Sequence, residues 1–133
     1  YDIGLGIPAE PLFRSRFICI VDNKAFALKR FVRKGDFRAS GSGNIVYDKK
    51  QIDERCVKIA FDTNDKLKTQ SIAFDFVFDE NNNPLIVEIS YGYATMAYDK
   101  CEGYWDKDLI WHEGNCFDFC GWMVEEVIRN VER

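Results

Sequence analysis

Two carboxylates carry the sharpest chemical signal in this 133-residue sequence. Asp75 lies in Ser71–Asp79, which alternates residue by residue. Ile72, Phe74, Phe76 and Phe78 share one face of a strand, and Ala73, Asp75, Val77 and Asp79 share the other. Glu80-Asn81-Asn82-Asn83 is a turn signal, and Pro84–Ile89 reads as the returning strand. A turn at Glu80–Asn83 sets Asp79 opposite Pro84 and Asp75 directly opposite Glu88. Directly opposed β-carbons lie about 4.5–5.5 Å apart. Asp75, Glu88 and Ser90 then project to one face, while Leu85, Val87 and Ile89 join Phe74 and Phe76 on the other. Like charges facing each other destabilise a sheet unless they are solvated, one is protonated, or a cation sits between them. Mg²⁺ suits the last case, because it takes oxygen ligands at roughly 2.0–2.1 Å and shares itself with phosphate oxygens. A solvent-facing pair on an open sheet face suits the first.

The opposite charge is concentrated elsewhere. Lys24, Lys29, Arg30, Arg33, Lys34 and Arg38 crowd one short stretch, and acids dominate from Asp75 onward. That split fits an anion-attracting wall facing a cation-attracting one, and it also fits ordinary solvated surface. Strand parity divides the basic residues. Lys24, Phe26, Leu28 and Arg30 share one face, and Ala25, Ala27, Lys29 and Phe31 the other, so Arg30 and Lys29 cannot both reach one ligand from a flat strand. The loop that follows holds Gly41-Ser42-Gly43, where backbone N–H groups can approach an anion and where a plain turn is equally well served.

These residues need elements to place them. Phe17–Val21 reads as a buried strand, Asp22-Asn23 as a turn, and Ala25–Val32 as the second strand of a hairpin. A glycine-bearing loop runs from Lys34 to about Asn44. A helix is expected from about Lys50 to Lys66, with Ile52, Cys56, Val57, Ile59, Ala60, Phe61 and Leu67 on its apolar side. After the carboxylate hairpin, residues 91–115 are loop-rich and aromatic. A final amphipathic helix spans Phe117–Val131, with Phe117, Cys120, Val124, Val127, Ile128 and Val131 expected inward. The order predicts an α+β domain with a mainly antiparallel sheet and two principal helices over 16–133, after an irregular lead-in at 1–15.

The run Ile72-Ala73-Phe74-Asp75-Phe76-Val77-Phe78, a short turn, then Pro84-Leu85-Ile86-Val87-Glu88-Ile89-Ser90 resembles the C-terminal portion of the ATP-grasp ligases, such as the ribosomal-protein glutamate ligases and D-alanine–D-alanine ligase. The resemblance implies that Asp75 and Glu88 hold Mg²⁺ or Mn²⁺ bridging the phosphates of ATP. Ser90 stands where that family has Asn, with a shorter reach. Ala27-Leu28-Lys29-Arg30 and the loop after it are similar to the matching strand and loop of the glutamate-ligase branch. This implies that Arg30 and Arg38 stabilise the transferred phosphoryl group, with Lys29, Gly41, Ser42 and Gly43 at the nucleotide. The tail around Trp111-His112-Glu113-Gly114 resembles ATP-grasp proteins of cell-surface polysaccharide synthesis. The implied reaction activates a carboxylate as an acyl phosphate and couples it to an amine or similar nucleophile. The missing N-terminal half of the enzyme is the implied partner. A truncated, non-catalytic remnant acting as a binding domain is the alternative.

Composition limits the rest. A net charge of −4 gives no global case for nucleic acid or an anionic membrane. No apolar run reaches membrane-spanning length. Five cysteines without a compact framework argue against a secreted disulfide scaffold and for a reducing cytoplasm. Cys19 and Cys56 read as core thiols. His112, Cys116 and Cys120 are spaced for one helical face, with Cys101 a conceivable fourth zinc ligand, but no C-x₂-C knuckle supports that, and Cys116 and Cys120 serve equally well in a core.

Overall fold

A computed structural model describes residues 14–31 and 44–132. The loop residues Arg38, Gly41, Ser42 and Gly43, and most of the lead-in, lie outside them. Strand β1 (Arg14–Val21) starts within the expected lead-in and pairs with β2 (Lys24–Phe31), Val21 opposite Lys24. Asp22 and Asn23 both have positive φ, 45° and 61°, as a two-residue type I′ hairpin turn requires. Next come β3 (Asn44–Val46), helix α1 (Glu54–Leu67), β4 (Ser71–Phe78) and β5 (Pro84–Ser90). The chain ends with β6 (Gly103–Trp105), β7 (Trp111–Glu113) and α2 (Phe119–Val131).

The described strands form one antiparallel sheet in the order β5-β4-β1-β2-β6-β7, with β3 also on β2. The α+β architecture is therefore the one the element order implied. Strands β3, β6 and β7 are three residues each, too short to leave a periodic trace. Helix α1 begins later than its apolar spacing suggested. Asp48 accepts a hydrogen bond from the Lys50 N–H and closes a short 3₁₀ turn over Lys49–Gln51. The chain then extends, and Asp53 caps α1 by accepting from the Arg55 N–H at 3.0 Å.

Both sheet faces are covered. On one, Ile18, Ile20, Ile72, Phe74, Phe76 and Phe78 pack against Cys56, Val57, Ala60 and Phe61 of α1. On the other, Cys19, Val21, Phe26, Leu28 and Ala73 pack against Tyr98, Cys101 and Phe119. Covering both faces makes β1 and β4 the rigid centre, each large apolar side chain contributing about 1.5–3 kcal/mol on burial.

Helix α2 departs from expectation. Only Phe119 is fully buried, with Trp122 and Met123 half-buried against the second cluster. Val124, Val127, Ile128 and Val131 are exposed, and so are Cys116 and Cys120. The helix docks through the edge carrying Phe119 and Trp122, where Trp122 stacks on Phe26, so its valine stripe is turned away from the sheet. Leu67 is likewise exposed at the end of α1. Cys19 and Cys56 are fully buried, as read.

Candidate functional site

Asp75 and Glu88 are brought face to face, although not by the expected register. Phe78, not Asp79, lies opposite Pro84. The turn is one residue longer because Asp79 folds it internally: its carboxylate accepts from the Asn81 and Asn83 N–H groups at 2.9 and 2.8 Å. The ladder then runs regularly through Val77–Leu85 and Phe76–Ile86, after which Asp75 pairs with Glu88. Val87 is the extra residue of a β-bulge. The long turn and the bulge offset each other, and Asp75–Glu88 and Ala73–Ser90 are the pairs that result.

The bulge also corrects the face assignment. Ile86, not Leu85 or Val87, packs against the α1-side core with Phe76 and Phe78. Leu85 and Val87 are exposed, as is Ile89 at the sheet edge. Asp75, Glu88 and Ser90 line a single pocket on the other face, together with Arg30. The pocket holds about 300 Å³.

Four strands therefore contribute to one concavity. Leu28 and Arg30 reach it from β2, Phe17 from β1, Asp75 from β4, and Glu88 and Ser90 from β5. The remaining wall is the segment after β5, where Gly92, Tyr93, Ala94, Ala97 and Tyr98 line the pocket. The guanidinium of Arg30 lies over the Phe17 ring, 4.9 Å from its centroid, which holds a planar cation against an apolar support. Asp75 is the one residue of β4 that is half-buried instead of buried. Among the described lining residues Arg30 is the one cation, placed on a separate strand from the two acids.

Lys29 is not brought to this pocket. Parity sends it to the opposite face, where its ammonium lies over the Phe31 ring at 4.5 Å and reaches Gln51 Oε1 at 3.5 Å. The tyrosine-lined wall was missed by sequence reasoning, which read residues 91–115 only as a loop-rich aromatic stretch and assigned no role to Tyr93 or Tyr98. Tyr91-Gly92-Tyr93 directly after a carboxylate strand is the only local hint.

The donor set fits a small hard cation shared with phosphate. Two opposed carboxylates and a neighbouring hydroxyl supply oxygen ligands only, and Mg²⁺ completes its shell from water and phosphate instead of an all-protein cage. No group of three or more His, Cys, Asp or Glu residues is gathered for a metal among the described residues. The zinc alternative is accordingly not assembled. His112 Nε2 is 2.7 Å from Asp106 Oδ2, and the buried Cys101 thiol donates to the Ala27 carbonyl. No helix is long and apolar enough to cross a membrane.

A family model described as the RimK-like ATP-grasp domain matches residues 14–106, from the start of β1 to the end of the β6 strand and its turn. The match spans every described residue that lines the pocket. No curated protein matches the chain.

Proposed function

We propose, from the premise that this chain belongs to the RimK-like ATP-grasp family, that it forms the metal- and phosphate-holding wall of an ATP-dependent ligase site. The family is one of ATP-dependent ligases that generally use ATP and Mg²⁺. The observation that carries the reading is the pairing of Asp75 with Glu88 across a bulged hairpin, in a pocket that Arg30 enters from another strand.

In this reading Asp75 and Glu88 hold Mg²⁺ or Mn²⁺, and Ser90 adds a shorter-reaching oxygen. When bound, the ion would neutralise charge on the phosphates of ATP. Arg30 grips the transferred phosphoryl group with a planar fork that matches two oxygens at once. The reaction is carboxylate activation as an acyl phosphate followed by attack of an amine or similar nucleophile. Positioning and charge neutralisation supply the rate, since phosphoryl transfer asks for little covalent chemistry from the protein. The acceptor-binding part would come from the N-terminal half of the enzyme, the partner that the resemblance implies. Five free cysteines, three of them buried, suit a reducing cytoplasm.

Manganese paramagnetic resonance tests this directly. Mn²⁺ with tripolyphosphate should bind the wild-type chain, and Asp75→Asn or Glu88→Gln should abolish binding while the far-UV circular dichroism stays unchanged. Equal binding by wild type and both variants would remove the carboxylate pair from the site.

A further inference from the structure

Two tyrosines outside the carboxylate pair tie the walls of the pocket together. Ile45 of β3 lies opposite Arg30 on β2. Tyr47 follows two residues later, and its ring packs against the cluster on the pocket side of the sheet. Its hydroxyl donates to the Ala97 carbonyl at 2.7 Å, and Ala97 lines the pocket. At the other end of the same segment, the Tyr93 hydroxyl and Ser71 Oγ share a hydrogen bond of 2.5 Å. Ser71 is buried at the start of β4, the strand that carries Asp75. Between the two pins, Tyr98 is buried and meets Tyr93 edge-on at 5.9 Å.

The result is a closed frame. From Glu88 and Ser90 the chain runs into the Gly92–Tyr98 segment, which Tyr93 fastens to β4. Tyr47 then carries the frame across to β3, which is hydrogen-bonded to β2 beside Arg30. Burial pushes the Tyr47 phenol up from its ordinary value, so it remains a donor throughout the neutral range.

We propose that Tyr47 and Tyr93 are positioning residues that hold the wall carrying Arg30 at a set distance from the wall carrying Asp75 and Glu88. This rests on the reading of the pocket as a metal–phosphate site. A ligand that bridges both walls gains most when their separation is fixed before it binds. Removing one neutral hydrogen bond from such a frame changes affinity by about three- to tenfold.

The test uses Tyr47→Phe and Tyr93→Phe, which keep the rings and delete the hydroxyls. Binding of Mn²⁺-tripolyphosphate is titrated well below the melting temperature, with amide exchange followed at residues 94–99. Both variants should bind about three- to tenfold more weakly and exchange faster in that segment. Tyr91→Phe, exposed and outside the frame, should match wild type. Variants that melt earlier yet bind as wild type does would show that the tyrosines only stabilise the fold, and would overturn the inference. If Tyr47→Phe does not fold, Tyr93→Phe decides on the same criterion. Failure of the wild type to bind would overturn the pocket reading itself, and this inference with it.

Discussion

Ile86 and Glu88 are two positions apart on β5 and face opposite sides of the sheet: Ile86 packs on the α1-side core and Glu88 lines the pocket. In a regular strand they would share a face. The unpaired Val87 between them adds the one residue that inverts the alternation. A single strand thereby anchors in the core with one end and presents a carboxylate to the pocket with the other. Truncating the two apolar neighbours should expose this. Ile86→Ala should cost about 1–3 kcal/mol, the lower part of the core-truncation scale because Ile86 is only partly buried, and Leu85→Ala less than about 1 kcal/mol. Urea unfolding of both variants checks it, and the reverse order would mean the bulge is misplaced.

The carboxylate pair should cost stability when no cation is supplied. Glu88→Gln removes one of two like charges that face each other, so the variant should be more stable than wild type by about 0.2–1 kcal/mol in chelator. The same change should abolish Mn²⁺-tripolyphosphate binding. Thermal melts with and without the ligand read both effects. A variant that is destabilised in chelator would show that Glu88 is held by attractive contacts instead.

Arg30 and Lys29 are adjacent in sequence and separated by the sheet. In the proposed ligase, Arg30→Lys would keep the charge but lose the fork that grips two oxygens. Turnover should fall by about ten- to a hundredfold, the equivalent of a lost charge-assisted hydrogen bond of about 1.5–3 kcal/mol, mainly in kcat. Lys29→Arg should be silent. Steady-state kinetics in which Lys29→Arg is damaging and Arg30→Lys is not would reverse the assignment.

Asp79 organises the turn that sets the register. Hydrogen bonds from the Asn83 backbone N–H, the Asn83 side chain and the Asn81 N–H hold its carboxyl below the usual carboxylate range. A depressed folded-state value stabilises the fold above the unfolded value of about 3.9, and that contribution is lost as pH falls through the folded value. Asp79→Ala should therefore melt below wild type at pH 7, and the gap should close in acid. A gap that persists unchanged at pH 2 would trace the effect to the backbone of the turn.

The cysteines should divide two against three. Burial pushes the Cys56 and Cys101 thiols up to about 12 and raises Cys19 well above its ordinary value. Cys116 and Cys120 are exposed. Maleimide labelling of native protein at pH 7 should modify those two quickly and the others only on unfolding. Rapid labelling of Cys101 would show that the wall formed by Tyr98 and its neighbours opens.

Strand alternation, turn chemistry and helical spacing in the sequence determined that a β-hairpin, a helix, a second hairpin and a final helix follow one another; that Asp75 meets Glu88 depends also on the bulge at Val87, which the alternation did not show. The element order depends on nearest neighbours, because period and turn residues act over a few positions. Only the tertiary structure decided that β5 carries a bulge, that β1 lies between β2 and β4, and that Arg30 on one hairpin enters the pocket of the other. The pairing of β1 with β4 joins residues fifty to sixty positions apart and leaves no local trace. The valine stripe of α2 shows the same limit. Its spacing announced an apolar face, but whether that face is covered depends on where Phe119 and Trp122 anchor the helix, which is a matter of packing against Phe26. Periodicity reports which residues share a side of an element; the side that meets the core is selected by the shape of what it packs against.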